Sequence, residues 1–104
     1  MIGCDFLGLD EFVCKKEISI SDKGYLYSLI PVFINNQRFI ILQEKTNIEI
    51  LINVFKVSDR TNVLRVLDRL TETELIEYSL SKFYGDTSVF LSINPKCAEY
   101  FFQK

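Results

Sequence analysis

Branched aliphatic side chains dominate this sequence, and alanine is almost absent from it. Twelve isoleucines and seven valines stand against one alanine, Ala98. β-branched side chains fit a pleated strand and lose rotamer freedom in a helix, whereas alanine is the best helix former. The chain has 104 residues, of which 48% are hydrophobic and 25% are charged. These proportions predict one globular domain over residues 1–104, with a large share of sheet.

Four strands are predicted in the first half of the chain, where apolar and polar residues alternate. Asp22, Lys23 and Gly24 predict a tight turn between the first two strands, and Asn35 and Asn36 predict the next turn. We place the strands at residues 16–21, 25–34, 38–44 and 48–57. Because strands joined by tight turns pair with their neighbours, this half predicts an antiparallel meander.

Two segments in this half have patterns that fit more than one structure. Residues 1–14 have the apolar spacing of a short helix, although Gly3 and Gly8 weaken that pattern. Residues 48–57 fit the spacing of a helix as well as the alternation of a strand. We interpret the second segment as a strand, because four of its β-branched residues fall in phase.

The second half of the chain predicts two helices in succession. Ser58 is the predicted cap of the first helix, whose apolar face runs through residues 63–70. Thr71 and Glu74 have the spacing of a capping box. This box predicts that a second helix begins there and ends at Gly85.

A strand and a short helix are predicted to complete the chain. Residues 88–93 alternate as a strand, and Asn94 followed by Pro95 is typical of a helix start. The last helix is therefore predicted over residues 96–103. Strands followed by helices predict an α+β fold, with an antiparallel sheet of four to five strands and two to three helices packed on one face.

The sequence contains no histidine, which removes most of the side-chain sets used in catalysis. Neither a Ser-His-Asp triad nor a Cys-His pair can form, and the sequence has no glycine-rich phosphate loop. Cys4, Cys14 and Cys97 lack the spacing of a zinc motif, so we expect reduced thiols that pack as small apolar side chains. We therefore predict a protein that is not an enzyme and that binds no metal or cofactor.

A cytoplasmic location is expected from the sequence. Residues 1–13 carry three acids and no base, which is the opposite of a secretory leader. No apolar run approaches the roughly 20 residues that a membrane-spanning helix needs. We therefore expect no contact with a membrane.

Acidic residues and tyrosines are the main candidates for a binding surface. Fourteen acidic residues exceed twelve basic ones, and tyrosine is common at interfaces. We predict a non-enzymatic protein-binding module, a small inhibitor or immunity-type protein that neutralises a basic partner such as a nuclease toxin. The predicted contact residues are Glu72, Glu74, Glu77, Tyr78 and Asp86, with Asp5, Asp10 and Glu11 as an alternative acidic patch.

A DNA-binding transcriptional regulator is the alternative hypothesis. Asn62, Arg65 and Arg69 lie together on the first predicted helix, away from its apolar face. Two consecutive helices followed by a strand resemble a winged helix. The second helix would then read the DNA, and the acidic residues at its start would repel phosphates. This charge pattern argues against nucleic acid as the partner.

Self-association is expected at the second predicted strand. Pro31 marks this strand as an edge or a bulged strand, and Leu29 and Ile30 make the edge apolar. An apolar edge favours pairing with a second copy. We therefore predict a homodimer.

Overall fold

The structure is a computed structural model that describes residues 2–35, 39–40 and 42–103. Five α-helices lie in these ranges, and none of them is long and apolar enough to span a membrane. The helices are α1 (Phe6–Cys14), α2 (Ile20–Leu29), α3 (Ile48–Phe55), α4 (Arg60–Glu72) and α5 (Pro95–Ala98). A 3₁₀ turn (Ile30–Phe33) follows α2. The strands are β1 (Ile2–Cys4), β2 (Ile34–Asn35), β3 (Phe39–Ile40), β4 (Gln43–Asn47), β5 (Ile76–Phe83), β6 (Asp86–Ile93) and β7 (Phe101–Gln103).

The described strands pair in three antiparallel sheets. The largest sheet has the order β4-β6-β5, and Phe90 of the central strand lies between Lys45 and Ser79. β1 pairs with β7, which brings the two ends of the chain together, and β2 pairs with β3. The α+β class is confirmed. The predicted sheet of four to five strands is wrong, because the main sheet has three strands and the described chain forms five α-helices.

The hydrophobic core lies between the three-stranded sheet and the helices α2, α3 and α4. Val63, Leu67 and Leu70 of α4 are fully buried, at the spacing of one helix face. In β6, Leu91 is buried whereas the preceding Phe90 is 44% exposed. Because successive side chains of a strand point to opposite faces, one face of the sheet is packed and the other is open.

The first two predicted strands are wrong, because α2 occupies most of that segment. Ser19 caps α2, and its side-chain oxygen accepts a hydrogen bond from the Asp22 amide at 3.1 Å. Asp22, Lys23 and Gly24 therefore lie inside a helix and form no hairpin turn. Burial explains the outcome, since helical spacing places Leu26 and Leu29 together in the core.

The homodimer prediction rested on an exposed strand edge at residues 25–34, and the structure has no strand over most of that segment. Residues 25–33 form helix and 3₁₀ turn, so they present no strand edge to a second copy. Leu29 is fully buried within its own chain. The predicted turn at Asn35 and Asn36 and the predicted strand over residues 38–44 fall partly outside the described residues.

The segment 48–57, which we interpreted as a strand, forms helix α3. The side chain of Asn47 caps it by accepting a hydrogen bond from the Glu49 amide at 2.8 Å. Ile48, Leu51 and Phe55 are buried, which is the burial pattern of a helix and not the alternating pattern of a strand. Lys56 follows with a φ of 56°, the left-handed conformation that ends many helices.

The predicted second helix of the latter half is wrong as well. α4 continues through Thr71, whose hydroxyl donates to the Leu67 carbonyl at 2.7 Å, so no capping box forms. Strand β5 replaces the helix. Tyr84 and Gly85 then have φ values of 51° and 84°, which suit a two-residue hairpin turn between β5 and β6.

Three local predictions of the latter half are confirmed, with shifted ends. The helix over residues 63–70 is part of α4, although Asp59 caps it and Ser58 does not. The strand over residues 88–93 is part of β6. Asn94 caps α5 as expected, but α5 ends at Ala98, and the rest of the predicted helix is a turn and strand β7.

Candidate nucleic-acid interface

Helices α3 and α4 form a pair that leads directly into a hairpin. Residues 56–59 connect the two helices, and Asp59 begins α4 by accepting a hydrogen bond from the Asn62 amide at 2.9 Å. Strand β4 precedes the pair and joins the sheet beside β6. The elements follow the order α2, β4, α3, α4, β5, β6, with the short strands β2 and β3 between α2 and β4, and β4 lies next to β6. In a helix-turn-helix unit, the second helix of the pair reads the DNA.

The face of α4 that points away from the core carries both signs of charge. Thr61 and Arg65 lie on its N-terminal half, and Asp68 and Glu72 lie on its C-terminal half; all four are exposed. These residues recur at helical spacing opposite the buried valines and leucines. The N-terminal half of the outer face is therefore the half that an anion can approach.

Three residues that the sequence singled out lie together in one cleft. Asn62, Arg65 and Arg69 of α4 line a cleft of about 300 Å³. Val66 of α4 also lines it, and its other walls come from Tyr25 of α2 and from Val57 and Ser58 of the α3–α4 connection. The Asn62 side-chain amide donates to the Ser58 hydroxyl at 3.0 Å. The cleft thus combines two guanidinium groups with neutral hydrogen-bonding groups.

The arginines of α4 differ in their partners. Arg60 donates two hydrogen bonds to the Glu49 carboxylate of α3, one of them at 2.7 Å. Arg69 donates from Nε to Oδ1 of Asp22 at 3.0 Å, which joins α4 to α2. Arg65 is the arginine of α4 without an ion-pair partner among the residues that the structure describes. Its charge is available to a ligand.

A tyrosine of β5 engages one of the two acids on the outer face of α4. The Tyr78 hydroxyl donates a hydrogen bond to Asp68 Oδ1. This hydrogen bond, together with burial, raises the pKa of Tyr78 to about 12. The contact holds α4 against the hairpin strand.

The predicted acidic surface is spread over several elements. Glu72 ends α4, Glu74 lies in the turn after it, and Glu77 points from β5 to the open face of the sheet. Asp86 begins β6 at the hairpin end, six residues from Ser92, which pairs with Glu77. At about 3.3 Å per residue, Asp86 therefore lies roughly 20 Å from the Glu77 register.

Glu77 lines a cleft on the open sheet face, whereas Tyr78, which also borders this cleft, points its side chain to α4. This cleft measures about 450 Å³ and includes Lys45 and Phe90. The Lys45 ammonium lies 5.7 Å from the centre of the Phe90 ring. Of the predicted contact residues, Glu77 presents its side chain to this cleft, and Glu74 lies with it in a neighbouring cleft.

The alternative acidic patch is largely engaged within its own fold. Asp5 caps α1 by accepting from the Gly8 amide at 3.1 Å. Asp10 accepts from the Tyr27 hydroxyl at 2.7 Å and from the Lys23 ammonium at 3.1 Å. The Tyr27 hydrogen bond, followed by that of Lys23, lowers the pKa of Asp10. Glu11 remains exposed on α1.

The sequence interpretation missed the helix pair itself. Asn47 followed by Glu49 at the start of α3 is the signal that could have revealed it, because asparagine is a preferred N-cap and an acid suits the first turn. With α3 in place, residues 60–72 become the second helix of the pair. Its first turn then includes Arg60 and Thr61, which the sequence interpretation did not select.

Comparison with known proteins gives one distant structural likeness. No family model matches the chain, and no curated protein sequence matches it. A solved structure described as a possible transcriptional regulator from Methanosarcina mazei Go1 is similar, with 20% sequence identity and a TM-score of 0.49. The match covers 82% of this chain and 63% of that chain, so this chain spans less than two thirds of that protein. At these values the likeness carries no argument about function.

Proposed function

We propose that this chain is a winged-helix module that binds double-stranded DNA. Helix α4 enters the major groove, and the β5–β6 hairpin lies beside it along the duplex. The observation that carries the proposal is the placement of Asn62, Arg65 and Arg69 on the second helix of a helix pair that leads into a hairpin. No metal or cofactor is part of it.

The residue types on the N-terminal half of α4 support this proposal. In helix-turn-helix proteins, the N-terminal residues of the second helix contact base edges. Arginine pairs with the edge of guanine, asparagine pairs with the edge of adenine, and threonine contacts the thymine methyl group. Asn62 and Thr61 supply the last two of these types within the first two turns of α4, and Arg65 supplies a positive charge there for the phosphate backbone.

Two of the three acidic residues behind the objection that the sequence raised against DNA lie outside α4, and the third, Glu72, lies at its C-terminal end. That objection placed acidic residues at the start of the helix that reads the bases. Glu74 lies in a turn and Glu77 lies on a strand, so neither belongs to that helix. The helix proposed for this position is α4, which Asp59 caps and in which Arg60 is paired with Glu49. Arg65, in its second turn, supplies the positive charge.

The inhibitor hypothesis stays a prediction without structural support. Its residues are divided between α4, a turn and opposite ends of the sheet. Asp5 and Asp10 of the alternative patch are engaged in a helix cap and in contacts with Lys23 and Tyr27. A basic partner would therefore meet no continuous acidic face formed by these residues.

Duplex binding at several salt concentrations tests the proposal. Fluorescence anisotropy with a labelled mixed-sequence duplex is expected to show binding at low salt that weakens steadily as salt rises. Arg65→Gln is expected to weaken binding about tenfold at fixed salt, because it removes a charge-assisted contact. Lys96→Gln, with the same charge change on α5, is the matched control and is expected to bind as the unmodified protein does.

Two results would contradict DNA binding. One is no binding at the lowest salt concentration. The other is equal weakening by Arg65→Gln and Lys96→Gln, which would mean that only the overall charge matters. Circular dichroism of both variants checks that the fold is retained.

A further inference from the structure

The cleft between α2 and α4 has the chemistry of an anion site. Tyr25 forms its α2 wall, and the Tyr25 ring is held edge-on against Phe55, with 5.6 Å between the ring centres. Ser58 and Asn62 are hydrogen-bonded to each other at one end. The remaining polar groups of the cleft are the guanidinium groups of Arg65 and Arg69.

Arg69 is held in position by an acid on the neighbouring helix. The Asp22 side chain is 14% exposed and accepts from Nε of Arg69, whose own side chain is 47% exposed. A guanidinium group has five N–H donors, so the Nε bond leaves the four donors on the terminal nitrogens. Asp22 therefore fixes the plane of the guanidinium group without using its outer donors.

Arg65 lies one helical turn before Arg69 on the same side of α4. Side chains four residues apart on a helix are neighbours. Arg65 has no ion-pair partner among the residues that the structure describes. Guanidinium groups bind phosphate oxygens through paired N–H donors, and two of them can share one tetrahedral anion.

We propose that this cleft binds a single phosphate group, which Arg65 and Arg69 hold together while Asp22 acts as a positioning residue for Arg69. The inference rests on the proposed function where the phosphate belongs to the DNA backbone. A free phosphorylated small molecule is the other source of the same chemistry. Two cations against Asp22 leave one net positive charge, which a phosphodiester neutralises.

Salt dependence of duplex binding distinguishes one shared phosphate from two separate ones. The logarithm of affinity falls with the logarithm of salt by about 0.9 for each phosphate contacted. With a shared phosphate, the double variant lowers this slope by about 0.9 in total, and neither Arg65→Gln nor Arg69→Gln alone lowers it by more than that. A double variant that loses about 1.8 would overturn the proposal, because the two arginines would then bind different phosphates. Glutamine at residue 69 keeps an amide donor for Asp22, which protects the fold.

Two substitutions of Asp22 test its positioning role. Asp22→Asn and Asp22→Ala both remove the negative charge, but only asparagine keeps an acceptor for Arg69 Nε. Duplex binding by Asp22→Ala is expected to be severalfold weaker than binding by Asp22→Asn. Equal affinities would remove Asp22 from the proposal, since charge alone would then explain its effect.

Titration with inorganic phosphate tests the cleft independently of DNA. Nuclear magnetic resonance of the arginine side-chain N–H groups is expected to show saturable shifts at Arg65 and Arg69. The Arg65→Gln/Arg69→Gln variant is expected to bind phosphate at least about tenfold more weakly. Lys96→Gln is expected to leave the phosphate affinity unchanged.

Duplex binding and phosphate titration together distinguish a DNA phosphate from a free phosphorylated compound. They also test the cleft separately from the proposed DNA binding. Phosphate binding with unchanged duplex slopes would identify a free phosphorylated compound as the ligand. No duplex binding with intact phosphate binding would contradict the proposed function and support the cleft. No phosphate binding together with unchanged slopes would overturn the cleft.

Discussion

The Tyr78 hydroxyl on β5 donates a hydrogen bond to the Asp68 carboxylate on α4, across the turn that joins the two elements. This contact ties the proposed DNA-reading helix to the first strand of the hairpin. It also uses one lone pair of an acid that otherwise faces solvent on α4. The position of α4 relative to the hairpin thus depends in part on the Tyr78 hydroxyl.

Tyr78→Phe is expected to lower the free energy of unfolding by about 1 kcal/mol, because it removes one charge-assisted hydrogen bond at a half-buried site. The folded-state pKa of Tyr78 is raised to about 12, above the ordinary value of about 10. The stabilisation is therefore complete below pH 10 and is lost as the pH rises through about 12. Denaturant unfolding at neutral and alkaline pH measures this stabilisation. The difference in unfolding free energy between Tyr78→Phe and the unmodified protein should become smaller at alkaline pH.

Tyr25→Phe is the matched control for that experiment. The Tyr25 hydroxyl has no hydrogen-bond partner in the described part of the chain, and its ring contact with Phe55 does not need the oxygen. Its unfolding free energy is expected to stay within about 0.5 kcal/mol of the unmodified value. Equal losses in the two variants would mean that the Tyr78–Asp68 bond contributes nothing.

Gly8 and Gly24 are expected to respond to alanine with opposite signs. A Cβ at residue 8 would lie 2.5 Å from Oδ2 of Asp5 and 3.0 Å from two ring carbons of Tyr100, whereas one at residue 24 would meet nothing within 4 Å. Gly8→Ala must displace the α1 cap or the ring, at a cost of about 1–3 kcal/mol. Gly24→Ala, inside α2, is expected to stabilise the protein by about 0.5–1 kcal/mol. Denaturant unfolding measures both changes in stability. If Gly8→Ala stabilised the protein, the close approach of Asp5 and Tyr100 to residue 8 would be contradicted.

Asp59 and Ser58 provide a test of where α4 begins. Asp59 accepts a hydrogen bond from the backbone amide of Asn62, whereas Ser58 accepts one from the side-chain amide of the same residue. Asp59→Ala is expected to cost about 1 kcal/mol in unfolding free energy, as the loss of an N-cap does. Ser58→Ala is expected to cost less than about 0.5 kcal/mol. The reverse order would favour the helix start expected from sequence.

The cysteines are expected to react with thiol reagents in the order of their exposure. Cys14 is exposed on α1, Cys4 is half-buried, and Cys97 is buried. Burial raises the pKa of Cys97 to about 11, and burial followed by the nearby charge of Asp5 raises the pKa of Cys4. Only the thiolate reacts, so at neutral pH Cys14 should be labelled first and Cys97 last. Mass spectrometry of timed digests measures the order, and labelling of Cys97 as fast as Cys14 would show that the C-terminal segment opens readily.

Residues 48–57 show why part of the fold could not be predicted from sequence. Their isoleucines satisfy a strand by alternation and a helix by the spacing of Ile48, Leu51 and Phe55. Intrinsic preference of β-branched residues favours the strand by only a fraction of a kcal/mol per residue. Burying the helical set against α4 outweighs that preference, since a fully buried large aliphatic side chain contributes about 1.5–3 kcal/mol.

The candidate site was predictable in its residues but not in its arrangement. Asn62, Arg65 and Arg69 were identifiable from sequence because they share one side of an amphipathic helix. Their role depended on which helix of the pair they belong to, and that required α3. Because α3 was interpreted as a strand, the second helix of the pair was assigned one element too late in the chain.

α4, β6 and the start of α5 could be predicted from the sequence, because the pattern of each depends only on residues within that segment. These signals are the apolar face of residues 63–70, the alternation of residues 88–93, and Asn94 followed by Pro95. Packing selected the helix for α3, whose pattern fits both a helix and a strand, and it overrode the local patterns that predicted strands at α2 and a helix at β5. It also brought Asp22 to Arg69 across 47 residues. Such a contact depends on how the helices pack around a shared core, and no local pattern encodes that packing.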